Sequence, residues 1–213
     1  MARRSFLRRD KRRHGRVEAP ACGYHGGKRI PLLHVRPLSQ IFHLHSPWSI
    51  LDCQTTGVDG GLRLIEIAII DHDGRILIET LVNPGVRIPA SAIALTGIDE
   101  AAVTRAPSWK AIWPKLEGLL LAQHHVIAWS ADFDLRALRG ECGRCDGVAW
   151  TTAIDARFVD LAPIISTLAG RECSFEDACD LASIPPPKVG QQRALSYCRA
   201  TLRIIHALRN EAT

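Results

Sequence analysis

The sequence predicts an α/β domain: a mixed sheet with helices on both faces, preceded by a basic extension. Three observations carry this expectation. Short apolar runs separated by turn residues occupy the stretch from Trp48 to Pro84, the periodicity then becomes helical, and one more strand-like run, HHVIAWS, stands among the helical segments. A strand meander followed by αβα segments implies a mixed sheet covered on both sides.

WSILDCQ (residues 48–54) is an apolar strand closed by the Gly/Thr turn TTGVDGG, and LRLIEIAII (62–70) is a buried strand of β-branched residues. Asp73-Gly74 supplies a hairpin turn, after which ILIETLVNP (76–84) returns as a third strand. Beyond the loop NPGVRIP, both SAIALTGI and DEAAVTRAPSWKAIWPKLEGLLLAQ read as helical, with Ile112, Leu116, Leu119 and Leu120 on an apolar stripe. HHVIAWS is a short strand, and DFDLRALRGE opens a helix after it. Residues 142–154 are loop-like, while DARFVDLAPIISTLAG and SFEDACDLASI are helical, the second ended by Pro185-Pro186-Pro187. QQRALSYCRATLRIIHALRNEA is a long amphipathic helix with Leu195, Leu202, Ile205 and Leu208 on its buried stripe. The expected order is β-β-β-α-β-α-α-α, and such a fold can gather carboxylates from the first strand, a later helix and the last helix around one sheet end.

The 213 residues suffice for one domain of roughly 150–180 residues plus an appendage. With 46% apolar residues the chain has ample material to bury, which excludes wholesale disorder. No apolar run approaches the roughly 18 residues of a membrane span, so no membrane partner is expected. The net charge of +5 is unevenly placed: residues 1–29 hold ten Lys/Arg against two acids, and the rest hold 17 against 20. Basic character therefore belongs to residues 1–47, an extension expected to be disordered, whose arginines can bind phosphate backbones nonspecifically. Seven cysteines, an odd number, together with an N-terminus lacking a secretory apolar core, point to reduced thiols and a cytoplasmic setting.

Four segments carry a more specific signal. ILDCQTTGVDGGLRLIEIAII follows the pattern D-x-E-T-T-G and then a strand with E-I-G/A. IPASAIALTGIDEAAVTRAPSW follows P-x-x-I-x-x-L-T-G-I and a helix start. VIAWSADFDLRAL follows V-A-H-N-A-x-F-D-x-x-x-L, and QQRALSYCRATLRII follows H-R-A-L-x-D-A-x-A-T. By these motifs, in order over about residues 48–208, the chain resembles the DEDDh (DnaQ-like) 3′–5′ exonucleases, which include the proofreading subunit of bacterial replicative polymerase, ribonuclease T and oligoribonuclease. The resemblance implies a ribonuclease H-like mixed sheet over residues 48–210.

It also implies a chemistry. Two divalent ions, Mg²⁺ or Mn²⁺, about 3.5–4 Å apart clamp the attacking water and the leaving 3′ oxygen. Four carboxylates supply hard oxygen ligands, and a histidine takes the water's proton. Here Asp52 stands at the first Asp position and Asp134 at the second-motif Asp. Gln54 replaces the Glu, Gln192 the His and Tyr197 the third-motif Asp, while Trp129-Ser130 replaces the His-Asn pair. Gln54 can offer an oxygen but no charge, and Gln192 cannot accept a proton near neutral pH. Asp52 and Asp134 are therefore expected to hold at most one ion, weakly.

Nearby groups are weak substitutes. His206 lies fourteen residues past Gln192, about four turns away. Asp132 suits a solvated helix start, and His124 and His125 precede the strand of the second motif. Tyr197 either packs where the Asp stood or stacks on a base. Thr55, Thr56 and Gly57 are either a plain turn or, by the resemblance, the stretch that faces the terminal nucleotide. Cys142-Gly-Arg-Cys145 and Cys22-Gly-Tyr-His25 together offer four zinc ligands, but the second pair lies in the extension and zinc is not expected.

The leading functional expectation is a domain that binds single-stranded nucleic-acid 3′ ends and is catalytically impaired. The alternatives are an active Mg²⁺/Mn²⁺-dependent exonuclease with a non-standard ligand set, and a protein-interaction module with a partner such as a polymerase.

Overall fold

The computed structural model describes residues 47–210. Readings that fall on residues 1–46, including the basic extension and the Cys22/His25 half of the zinc arrangement, lie outside the described residues.

Five strands form one sheet in the order β3-β2-β1-β4-β5: β1 (Trp48–Thr55), β2 (Leu64–Asp71), β3 (Ile76–Leu81), β4 (His125–Ala128) and β5 (Phe158–Asp160). The meander is antiparallel, whereas β4 and β5 run parallel to β1. Around the sheet lie α1 (Ala90–Thr96), α2 (Glu100–Val103), α3 (Trp109–Ala122), α4 (Ala131–Gly143), α5 (Thr152–Asp155), α6 (Leu161–Ala169), α7 (Phe175–Leu181) and α8 (Ala194–Asn210).

Strand alternation sorts the core into two layers. Trp48 and Ile50 of β1, with Ala68 and Ile70 of β2, pack with α6, α7 and α8. Leu51 and Cys53, with Ile67 and Ile69, pack with α3 and α4. Strand β2 is buried along nearly its whole length, which explains its continuous apolar run. The turn after it is stabilised by Asp71, whose Oδ1 accepts the backbone N–H groups of Asp73 and Arg75 at 2.9 and 2.8 Å.

Three sequence expectations need correction. The segment DARFVDLAPIISTLAG is not one helix. It contains the end of α5, then β5, then α6. A three-residue strand is too short to show a period, and its existence depends on β4, against which Val126 pairs with Phe158 and Ala128 with Asp160. Asp160 then caps α6 by accepting the Ala162 N–H at 3.2 Å. The long helical segment after Gly97 is likewise divided into α2 and α3, because Pro107-Ser108 interrupts it. Residues 142–154, read as a loop, begin with the last turn of α4 and hold most of α5.

Two buried carboxylates fasten the helices to the sheet. Glu66 of β2, 1% exposed, accepts Arg193 Nε at 2.8 Å, a second bond from Arg193 Nη2, and the Ala194 N–H at 2.8 Å. This sets where α8 begins. Glu141, near the end of α4 and also 1% exposed, accepts Arg63 Nε at 2.9 Å, the Leu64 N–H at 3.0 Å and Arg144 Nη2 at 2.9 Å. These donors hold its carboxyl below its ordinary value although burial opposes them.

Replacing Glu66 by Ala leaves the Ala194 N–H and the Arg193 guanidinium without their acceptor. A loss of about 2–4 kcal/mol is expected. Urea unfolding checks it: the midpoint should fall clearly below that of wild type, with Glu66→Gln intermediate.

Candidate functional site

Asp52 and Gln54 stand two residues apart near the end of β1, so the pleat puts both on the face that carries Trp48 and Ile50. Gln54 Nε2 donates to Asp52 Oδ2 at 2.8 Å. An ionised glutamate at 54 could not make this bond, since it has no proton to give.

Helix α4 starts directly past the end of β4, with Ser130 as its N-cap residue. Its first turn and a half brings Asp134 beneath the surface, only 4% exposed. Asp134 Oδ1 is buried without a hydrogen-bond partner. Burial pushes the Asp134 carboxyl up to about 7; Cys53, which faces it, pulls down, and the Asp160 charge adds to the rise. Asp52 is pushed well above the usual carboxylate range by burial and the Asp134 charge, with a further rise from Glu66 and an opposing pull from the Gln54 amide.

Tyr197 enters from α8, half-buried. Its ring lies 4.8 Å from that of Phe175, which lies 5.1 Å edge-on from Trp129. The three rings form one aromatic wall. Burial, and then the charge of Asp52, pushes the Tyr197 hydroxyl up to about 12, so it stays a neutral phenol.

Asp52, Gln54, Asp134 and Tyr197 thus line one cleft of about 180 Å³, shared with Trp129 and Phe133. Gln192 does not line it. It sits on the loop before α8, where the Leu95 carbonyl accepts its N–H at 3.2 Å. Thr55, Thr56 and Gly57 also lie outside the lining. Thr55 Oγ1 donates to the Gly57 carbonyl at 2.5 Å, and Thr56 Oγ1 accepts the Arg63 N–H at 3.0 Å, so both hydroxyls are used within the turn.

The other candidates lie elsewhere. Asp132 is exposed and pairs with Arg136 at 3.4 Å. His124 and His125 lie at the start of β4, level with Trp48, whereas the cleft is at the opposite strand ends. His206 is nine residues beyond Tyr197 on α8, about 13 Å along the axis. Cys142 is buried with its thiol pushed up to about 11, chiefly by burial, and Cys145 lies beside it.

Sequence reasoning missed Phe133, Phe175 and Asp160. Phe133 stood beside Asp134 in the second motif and could have been noted there. Phe175 meets Tyr197 only through the packing of α7 on α8, which no local pattern reports. Asp160 had a signal, an Asp before an apolar run with Pro163 in the first turn.

A central strand that delivers one aspartate to a cleft, facing a second from the helix after the fourth strand, is the arrangement of the ribonuclease H-like exonuclease fold. The family model described as Exonuclease, of the ribonuclease T type, matches residues 49–189, and the chain belongs to this DnaQ-like exonuclease family. An uncharacterized exonuclease of Escherichia phage 186 is 30% identical over 190 residues, covering 74% of this chain and 86% of the phage protein. A DNA polymerase III subunit epsilon-like protein of Rhodobacter capsulatus is 37% identical over 101 residues, covering 42% of this chain and 14% of that protein. Among solved structures, exonuclease X in complex with 5′ overhanging duplex DNA superposes with a TM-score of 0.57 at 24% identity, covering 78% of this chain and 93% of its own. A 3′-exonuclease that recognises a histone mRNA stem-loop has a TM-score of 0.64 at 13% identity, covering 78% and 64%. These structural likenesses establish the fold.

Exonucleases of this family generally use divalent metal ions. The residues here do not fit a pair of them. Gln54 turns its amide N–H toward Asp52, Tyr197 offers a phenol where a carboxylate is needed, and Asp160 uses an oxygen to cap α6. Among the described residues, no group of three His, Cys, Asp or Glu side chains is arranged to hold a metal.

The raised Asp134 value has a stability consequence. Between the ordinary carboxylate value of 3.8 and about 7 the folded state keeps a proton that the unfolded chain has lost, so its contribution to stability declines as pH rises through that window. In chelator, Asp134→Asn should therefore gain melting temperature over wild type progressively from pH 4 to above pH 7. Thermal melts at pH 4 and pH 8 check this; an equal difference at both would contradict it.

Proposed function

We propose that residues 48–210 form a domain that engages nucleic-acid 3′ ends within the exonuclease fold and hydrolyses phosphodiesters poorly or not at all. The observation that carries this reading is the Gln54–Asp52 hydrogen bond at 2.8 Å. It converts the start of a metal-binding carboxylate cluster into a neutral–acid pair satisfied without an ion. The positions matching the family's third acid and its base hold Tyr197 and Gln192, and Gln192 lies outside the cleft. Asp52 and Asp134 then hold at most one hydrated Mg²⁺ or Mn²⁺, too little positive charge to clamp both oxygens of an in-line displacement. Thr55, Thr56 and Gly57 are assigned to backbone contact with the terminal nucleotide, their hydroxyls being used in the turn.

The relatives support the ligand class. Solved structures with this fold hold duplex DNA with an overhang in one case and a histone mRNA stem-loop in another.

A 5′-labelled single strand incubated with Mg²⁺ or Mn²⁺ tests the reading. Wild type is expected to bind the strand and leave it full-length. The triple variant Gln54→Glu, Gln192→His, Tyr197→Asp should gain metal-dependent shortening of at least tenfold, a base alone being worth about 10²–10⁴ in rate. Shortening by wild type that disappears in Asp52→Ala would overturn the impaired reading, and absence of strand binding would favour a protein-interaction module instead.

A further inference from the structure

Cys142 and Cys145 stand where α4 ends, and neither lines the cleft. All six cysteines among the described residues are free thiols; five are buried, and Cys145 alone is partly exposed. The Cys145 N–H donates to the Cys142 carbonyl at 3.1 Å, and Arg144 between them keeps right-handed helical angles. One helical turn therefore separates the two residues, which puts their Cα atoms about 5 Å apart. Disulfides join Cα atoms about 4.4–6.8 Å apart. Both side chains also pack in one apolar cluster with Trp109. Cys145 lies just past the last helical residue, so the sulfurs can be drawn together by the end of the turn without breaking the helix behind it.

The surroundings of the two sulfurs differ. Cys142 is 3% exposed, and burial pushes its thiol up to about 11, with the Trp109 indole N–H pulling down. That indole is 3% exposed, and its Nε1 has no hydrogen-bond acceptor although it is directed at the Cys142 sulfur. A thiol is a weak acceptor, whereas a thiolate is a strong one. The idle donor thus stands where negative charge would form if Cys142 lost its proton. A solvent-borne reagent reaches Cys145 first, and Cys142 is reached only from Cys145.

We propose that Cys142 and Cys145 form a thiol–disulfide exchange site for a low-molecular-weight disulfide of the glutathione type, Cys145 attacking and Cys142 resolving. The Cys145 thiolate attacks one sulfur of the small disulfide, whose S–S bond breaks; one thiolate leaves and takes up a proton. The Cys142 thiolate then attacks Cys145 Sγ in the mixed disulfide and expels the second small thiolate, which is protonated in turn. Two electrons pass from the protein dithiol to the small disulfide, yielding the Cys142–Cys145 disulfide and two small thiols. Excess small thiol reverses both steps. Proximity offsets the low thiolate fraction of Cys142, since well-placed groups reach effective molarities of about 10⁵ M or more.

Peptide mapping of the full chain tests the site. The protein is equilibrated with reduced and oxidised glutathione at a series of ratios, quenched with acid, blocked with N-ethylmaleimide in denaturant and digested with trypsin. Cleavage after Arg139, Arg144 and Arg157 separates the cysteines, so the disulfide is read as peptide 140–144 joined to peptide 145–157. The joined pair is expected to grow with the share of oxidised glutathione and to vanish on adding dithiothreitol. Cys142→Ser should accumulate glutathione on Cys145, and Cys145→Ser should leave Cys142 carrying N-ethylmaleimide. Trp109→Phe keeps a ring without the N–H and should close the mixed disulfide roughly tenfold more slowly. Absence of the joined pair from wild type at every ratio, or Cys142 joined to a different cysteine, overturns the site, and neither result depends on how a variant folds. An unchanged closure rate in Trp109→Phe overturns the part given to the indole.

Discussion

The geometry of the cleft depends on Glu66. Its carboxylate is almost wholly removed from water, yet it is satisfied by the Arg193 guanidinium and by the Ala194 N–H at the head of α8. Glu66 pairs with Gln54 across β1 and β2, so one end of this interaction belongs to the strand that carries Asp52. The other end fixes the first turn of α8, and Tyr197 follows three residues later. Strand and helix thus meet at a defined angle and rotation, and the side chains that face each other across the cleft are set by a charge pair outside it. Removing a partner from such a buried pair costs more than the pair contributes, because the remaining group keeps its desolvation penalty.

The side chains of the cleft form a mutually compatible set. Where carboxylates are buried side by side, each ionised one raises its neighbour's protonation, as Asp134 does to Asp52. Gln54 carries no charge and donates an amide N–H to Asp52. Tyr197 packs on Phe175, and Trp129 packs on Phe175 as well. Gln54, Tyr197 and Trp129 each have a specific contact. Of the cleft-lining side chains, Asp134 alone has a buried polar atom without a hydrogen-bond partner, its Oδ1.

The sequence was most legible where local rules govern. The meander was visible because β2 is an apolar run between turn residues, and Asp73-Gly74 marked the hairpin. Asp52 and Asp134 could be placed together because their motifs fix them to a strand end and a helix start. Strand β5 was not legible, since three residues carry no period and its pairing belongs to β4. The fate of Gln192 was hidden for a similar reason. Its motif position suggested the cleft, but the preceding loop is tied to α1, where the Leu95 carbonyl accepts the N–H groups of both Gly190 and Gln192. That tie is tertiary, and close: a Cβ at Gly97 would stand 2.7 Å from the Gly190 carbonyl oxygen. The aromatic wall was half legible, with Trp129 and Tyr197 conspicuous as replacements and Phe175 supplied only by packing.

Helix α4 is anchored at both ends. Glu141 fastens its last turns to Arg63 and the Leu64 N–H, and its first turn continues directly from β4. The helix that bears Phe133 and Asp134 is thus tied to the sheet at both ends. On the proposed 3′-end reading, a terminus already frayed enters at less cost than a paired one, which must first break its stacking and pairing, a few kcal/mol.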